Sequence, residues 1–197
     1  MTANDAFGQA KYQVRHDLGA AGAERILPGA HVAVVVDVLP AIGADGSAGA
    51  ALAAVLDAAR DPHGEPIVVL EAGFRNRTAV ARRILDLQEE RGIRLFVAVV
   101  AAGDADETGA ARLVAEDQLA AGAVIDALTA LGIDHTSPEA AVSSAAFEGL
   151  RHALKHLAGA AGTGAALTAA GRRDEVRAAL ELDADVDVPE RCGAPQA

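Results

Sequence analysis

Apolar positions fall into two rhythms along the chain. One is short and continuous: residues 31–39, 67–71 and 93–101 are runs of Val, Ile, Leu and Ala, the pattern of strands buried on both faces. The other is helical. Residues 19–27, 47–60 and 76–91 space their apolar side chains for one face. In the third of these, Val80, Ile84 and Leu87 oppose Arg82, Arg83, Glu89 and Glu90. Pro28-Gly29, Pro62 with Gly64, and Gly92 end these helices. A long helix is expected over 110–131, interrupted at Gly122. Ser137-Pro138-Glu139 sets a cap, a first-turn proline and an acid near the helix dipole, for a helix running to Leu157. Short helices are expected over 165–170 and 174–182, after a flexible joint at 159–164. Weaker signals suggest an edge strand over 12–17 and a last strand over 186–188. Strand, helix, strand, helix, strand and then helices predicts an α/β fold: three layers, with a largely parallel sheet flanked by helices. One domain is expected over 12–189, between a mobile N-terminal tail (1–11) and a C-terminal tail (190–197).

Composition narrows the function. The chain has 197 residues, 51% hydrophobic and 3% aromatic with no Trp, and a net charge of −11. Such a surface offers neither the basic footprint nor the stacking faces that nucleic acids require, and anionic membranes are disfavoured for the same reason. No uncharged apolar run is long enough to span a bilayer. The first residues lack the basic and apolar stretches of a secretory signal. The single Cys192 permits no internal disulfide and fits a cytoplasmic setting.

In parallel α/β folds, ligands bind beyond the carboxyl ends of the strands, which selects residues 37–46, 71–76 and 101–107. Asp37 at a strand end is a candidate oxygen ligand for Mg²⁺, or a cap for the next loop. Glu71-Ala-Gly73-Phe-Arg75-Asn76 joins a strand to a helix start, where backbone N–H groups and the Arg75 fork suit an anion. The alternative makes Asn76 an N-cap and Arg75 a surface charge. Asp104, Asp106 and Glu107 form an acidic loop, most simply a solvated one. Glu116 and Asp117 are adjacent acids in an otherwise apolar helix, pointing about 100° apart. His152 and His156 share a helix face and read as solvent-facing. Asp183, Asp185 and Asp187 alternate with Ala184, Val186 and Val188, as in a half-buried edge strand. The glycines of 159–164 lack a P-loop ending.

Taken in order, Val14-Arg15, residues 19–22, Val34-Val-Val-Asp37-Val-Leu39, Arg75-Asn76, Ala102-Gly103, Glu116-Asp117, Ala121-Gly-Ala-Val-Ile125, Gly171, Asp174, Val176, Glu181-Leu-Asp183 and Val188-Pro189 resemble the 2-phosphosulfolactate phosphatase family. The resemblance implies an α/β, Mg²⁺-dependent phosphatase acting on a small phosphorylated or acidic metabolite. Catalysis would rest on Asp37 and Arg75. Arg75, Asn76, Gly73 and Gly103 would bind the substrate, and Asp37, Glu116 and Asp117 would hold Mg²⁺. Pro40-Ala-Ile-Gly43 and Asp104-Ala105 depart from the family pattern, and the middle region is short, so a rebuilt active site is expected. The rival expectations are a non-catalytic ligand-binding or structural partner protein, and a repurposed enzyme of secondary metabolism using Asp104, Asp106 and Glu107. A homodimer is the default assembly.

Overall fold

The computed structural model describes residues 7–39, 47–105 and 111–193. The expected loop at 40–46, Asp106 and Glu107 lie outside the described residues.

A five-stranded sheet forms the middle layer. It contains β1 (Val14–Leu18), β2 (Val32–Val36), β3 (Val68–Ala72), β4 (Val97–Ala101) and β7 (Glu190–Cys192), in the order β1-β4-β2-β3-β7. The first four strands are parallel, and β7 runs antiparallel against β3. Alternate side chains enter two separate cores, as strand geometry requires. Ala33, Val69, Ala98 and Val100 pack under α1 (Gly19–Ile26) and α2 (Ser47–Ala58) on one face. Val34, Leu70, Val97 and Val99 pack on the other under α3 (Arg77–Arg91), α4 (Ala115–Ala130) and α5 (Pro138–Leu150). This is the expected three-layer α/β arrangement. With both faces covered, the central strands carry no polar alternation, which is why they read as continuous apolar runs.

Several local expectations are corrected. The long helix begins at Ala115, because Ala111–Arg112 (β6) pairs antiparallel with Asp104–Ala105 (β5). Gly122 does not interrupt that helix. A Cβ there would lie 2.1 Å from the Ser143 carbonyl oxygen, so the glycine lets α5 cross closely over α4. The helix after Ser137 is capped as expected, with the hydroxyl accepting from the Ala140 N–H at 3.0 Å. It stops at Leu150, passes through a 3₁₀ turn (Arg151–Ala153) and restarts as α6 (Leu154–Ala160). The expected joint at 159–164 is helical on both sides, followed by α7 (Gly162–Ala169) and α8 (Arg173–Ala179). Residues 186–188 are not a strand. The last strand is instead β7, inside the expected tail, where Glu190, Arg191 and Cys192 face Leu70, Val69 and Val68. At the other end, buried Gln9 is tied to His16, donating to its carbonyl at 2.8 Å and accepting its N–H at 3.0 Å, so the ordered fold begins before residue 12.

Candidate active site

Strand order and helix placement locate the site. β2 and β4 are neighbours, but the chain leaves β2 toward α2 on one face and leaves β4 toward α4 on the other. Loops that part in this way open a crevice at the carboxyl ends of the strands. Asp37 follows β2, and Ala102 and Gly103 follow β4.

The first turn of α4 closes this crevice with Glu116 and Asp117. Acids are favoured there by the helix dipole, but here both are buried. Asp117 Oδ1 accepts the Val38 N–H at 2.8 Å and Oδ2 accepts the Gly103 N–H at 3.0 Å. One carboxylate therefore ties together the two loops that leave β2 and β4. Burial pushes the Asp117 carboxyl up to about 8. The Val38 N–H pulls it back, the charge of Asp37 pushes it further up, and the Gly103 N–H and Glu116 act as smaller opposing influences. Gly103 is required locally. Its φ is +65°, and a Cβ would meet the Leu18 side chain at 2.7 Å and the Arg112 carbonyl oxygen at 2.8 Å.

Glu116 is fully buried, and among the described residues neither of its carboxylate oxygens has a hydrogen-bond partner. A buried carboxylate without partners is among the costliest groups a protein can hold. Asp37 is exposed, but partial burial still raises its pKa, and the charges of Glu116, Glu71 and Asp104 raise it further. The crevice therefore gathers negative charge, and among the described residues no cation pairs with Asp37 or Glu116. Beside it, under α2, a cavity of about 320 Å³ is lined by Asp37 and Glu71 and by Leu52, Leu56 and Val69, with Arg191 at its edge.

This donor set is all oxygen and suits a hard divalent cation, and the orphaned Glu116 oxygens are where such an ion fits best. Among the described residues, no three His, Cys, Asp or Glu side chains are grouped to hold a metal between them. Mg²⁺ does not need that enclosure, since it keeps several waters and binds through one or two carboxylates.

The other expected site residues are arranged differently. Arg75 lies past β3, and its fork is engaged by the chain's own acids. It meets Asp185 at 2.7 and 2.9 Å, Glu181 at 3.1 Å and the Ala178 carbonyl at 2.7 Å. The Asn76 side chain does not cap α3. It accepts the Gly73 N–H at 2.9 Å and donates to the carbonyls of Glu71 and Asp187. The α3 terminus is capped from a distance by Asp183, which accepts the Thr78 N–H at 3.0 Å and also pairs with Arg77. Asp183 and Asp185, expected on a strand, are instead the counter-ions of this turn. The structure thus brings Asp37, Gly103, Glu116 and Asp117 together, and leaves Arg75, Asn76 and Gly73 in a separate, self-satisfied turn. Asp104 pairs with Arg112 across β5 and β6. Arg191, at the edge of the cavity, was not expected, since only the pairing of β7 with β3 carries it there; it engages Asp57 at 2.6 Å.

The fold and this crevice define a class: an α/β protein with an acidic crevice at the carboxyl ends of its parallel strands. Residues 57–193 match the family model of 2-phosphosulpholactate phosphatase, and the chain belongs to that family. The matched stretch includes Gly103, Glu116 and Asp117 but not Asp37. No curated protein matches the chain. No helix among the described residues is long and apolar enough to cross a membrane.

Proposed function

We propose that the protein hydrolyses the phosphate ester of a small organic acid in the crevice between β2 and β4, with Mg²⁺ bound at Glu116 and Asp37, and that it works in the cytoplasm. The observation that carries this reading is Glu116, fully buried with both oxygens unpartnered. When bound, the ion supplies charge neutralisation for the phosphoryl group. Without a cation, a phosphate dianion approaching Asp37, Glu116 and Glu71 is repelled. Asp117 positions the Val38 and Gly103 backbone through its two accepted hydrogen bonds. The apolar floor of Leu52, Leu56 and Val69 takes the carbon skeleton of the substrate and excludes water from it. The departures from the family pattern around Asp37 and Asp104 support reading this as a rebuilt site.

A second reading is a non-catalytic, ligand-binding member of the family. It is favoured by Arg75 and the α3 terminus, whose anion-binding groups are occupied by Glu181, Asp183 and Asp185. Phosphate release from a panel of phosphorylated hydroxy acids and phosphosulfolactate, with Mg²⁺ present, separates the two. The proposal expects turnover, reduced about 10²-fold or more by Asp37→Asn and by Glu116→Gln. Absence of turnover on every substrate would leave the second reading.

A further inference from the structure

A second charged region lies away from the crevice. A cavity of about 680 Å³ opens between α6, α7 and α8, lined by Lys155 and His156 on one wall and by Arg173 and Arg177 on the other. Thr168 adds a hydroxyl, and Val176 and Leu180 form part of the floor. Arg173 and Arg177 are one turn apart and share a face of α8.

The concentration of cations is unusual for this chain. The protein carries a net charge of −11, and many of its arginines engage carboxylates: Arg25, Arg75, Arg77, Arg83, Arg172 and Arg191 all do so. Among the described residues, Lys155 and Arg173 meet no carboxylate. Arg177 reaches Asp174 only at 3.9 Å. Glu181, the acid in the lining, is turned to Arg75 at 3.1 Å. Gathering like charges around one cavity costs free energy, which a ligand of opposite charge relieves.

We infer that this cavity is an anion-binding site, separate from the acidic crevice, for a small molecule carrying two or more phosphate groups. Two cationic walls suit two phosphates better than one, because each wall can neutralise one group. The apolar floor accepts the uncharged part of such a ligand. The site uses no divalent ion, so its occupancy is independent of the crevice.

The test is calorimetric titration of the full-length protein with inorganic pyrophosphate, in EDTA and at low salt, where exposed charges are least screened. The expected result is saturable binding. The double variant Lys155→Gln/Arg173→Gln should weaken it at least about tenfold, two lost charge-assisted contacts. Glu116→Gln and Arg82→Ala should leave it unchanged. Circular dichroism of the double variant separates lost binding from lost folding. If that variant is unfolded, Arg177→Gln alone must weaken binding. No saturable binding by the native protein overturns the inference, as does unchanged binding in folded Lys155→Gln/Arg173→Gln. Binding strengthened several-fold in Glu116→Gln, which removes a charge that repels anions from the crevice, would place the anion in the crevice instead and overturns it too.

Discussion

Two turns at the same end of the sheet treat charge in opposite ways. After β3, Arg75 and Arg77 are met by Glu181, Asp183, Asp185 and Asp126, and the free N–H of α3 is capped by Asp183. After β2 and β4, Asp37, Glu116 and Asp117 gather, and among the described residues no cation pairs with them and the Glu116 oxygens have no hydrogen-bond partner. The first turn has completed its electrostatics within the chain and is a structural joint. The second has not done so among the described residues, and the proposed cation would complete it. A conventional anion-binding element, an arginine beside a helix start, is therefore a poor guide here. The unsatisfied carboxylate is the better one.

The largest expected effect comes from the backbone of the incomplete site. Gly103→Ala forces a side chain into a positive φ and against Leu18 and Arg112. A loss of about 2–4 kcal/mol by chemical denaturation is expected. A neutral result would mean that the two loops are not tightly joined through Asp117.

Next is Glu116→Met. Replacing a buried, unpartnered carboxylate by an apolar side chain of similar size removes a desolvation cost, so metal-free stability should rise by about 1–3 kcal/mol while phosphate release is lost. Destabilisation in EDTA would show that the chain itself satisfies Glu116, which breaks the contrast between the two turns.

A smaller, pH-dependent effect follows from Asp117. Its carboxyl titrates at about 8 in the folded protein and near 4 when unfolded. Between these values the native state holds a proton that the unfolded state has released. Stability should therefore fall as pH rises from about 4 to about 8, then level off. Denaturation across that range should show this slope in EDTA, and Asp117→Asn should flatten it.

The smallest effect sharpens the comparison from the other side. Arg75→Ala should leave KM for a phosphorylated substrate within about twofold, since its donors already face Asp185 and Glu181 and exposed pairs contribute little. A KM raised tenfold or more would return Arg75 to the substrate site.

The parts legible in the sequence were those fixed by local pattern. Val32–Val36 and Val97–Ala101 are β-branched and buried on both faces, so burial alone identifies them. Ser137, Pro138 and Glu139 carry their helix start in three residues. The parts that were not legible depend on distant partners. Arg75 and Asp185 are 110 positions apart, and nothing near either residue signals their pairing. Glu190–Cys192 has no strand rhythm and is extended only because the edge of β3 offers it a partner. The alternation of Asp183, Asp185 and Asp187 imitates an edge strand, but the α3 terminus and Arg75 claim two of these acids as cap and counter-ion. In the candidate site, Glu116 and Asp117 stood out as acids in an apolar helix. Their opposite circumstances, one doubly bonded and one orphaned, depend on where the β2 and β4 loops pass.

The most direct test of the account is Mg²⁺-dependent thermal stability of the native protein beside Glu116→Gln. An ion bound only by the folded state stabilises it by mass action, about 2.7 kcal/mol at one hundred times Kd. The account predicts a saturable rise in Tm with Mg²⁺ for the native protein and none for Glu116→Gln. No rise in the native protein, or the same rise in both, would contradict a cation site at Glu116.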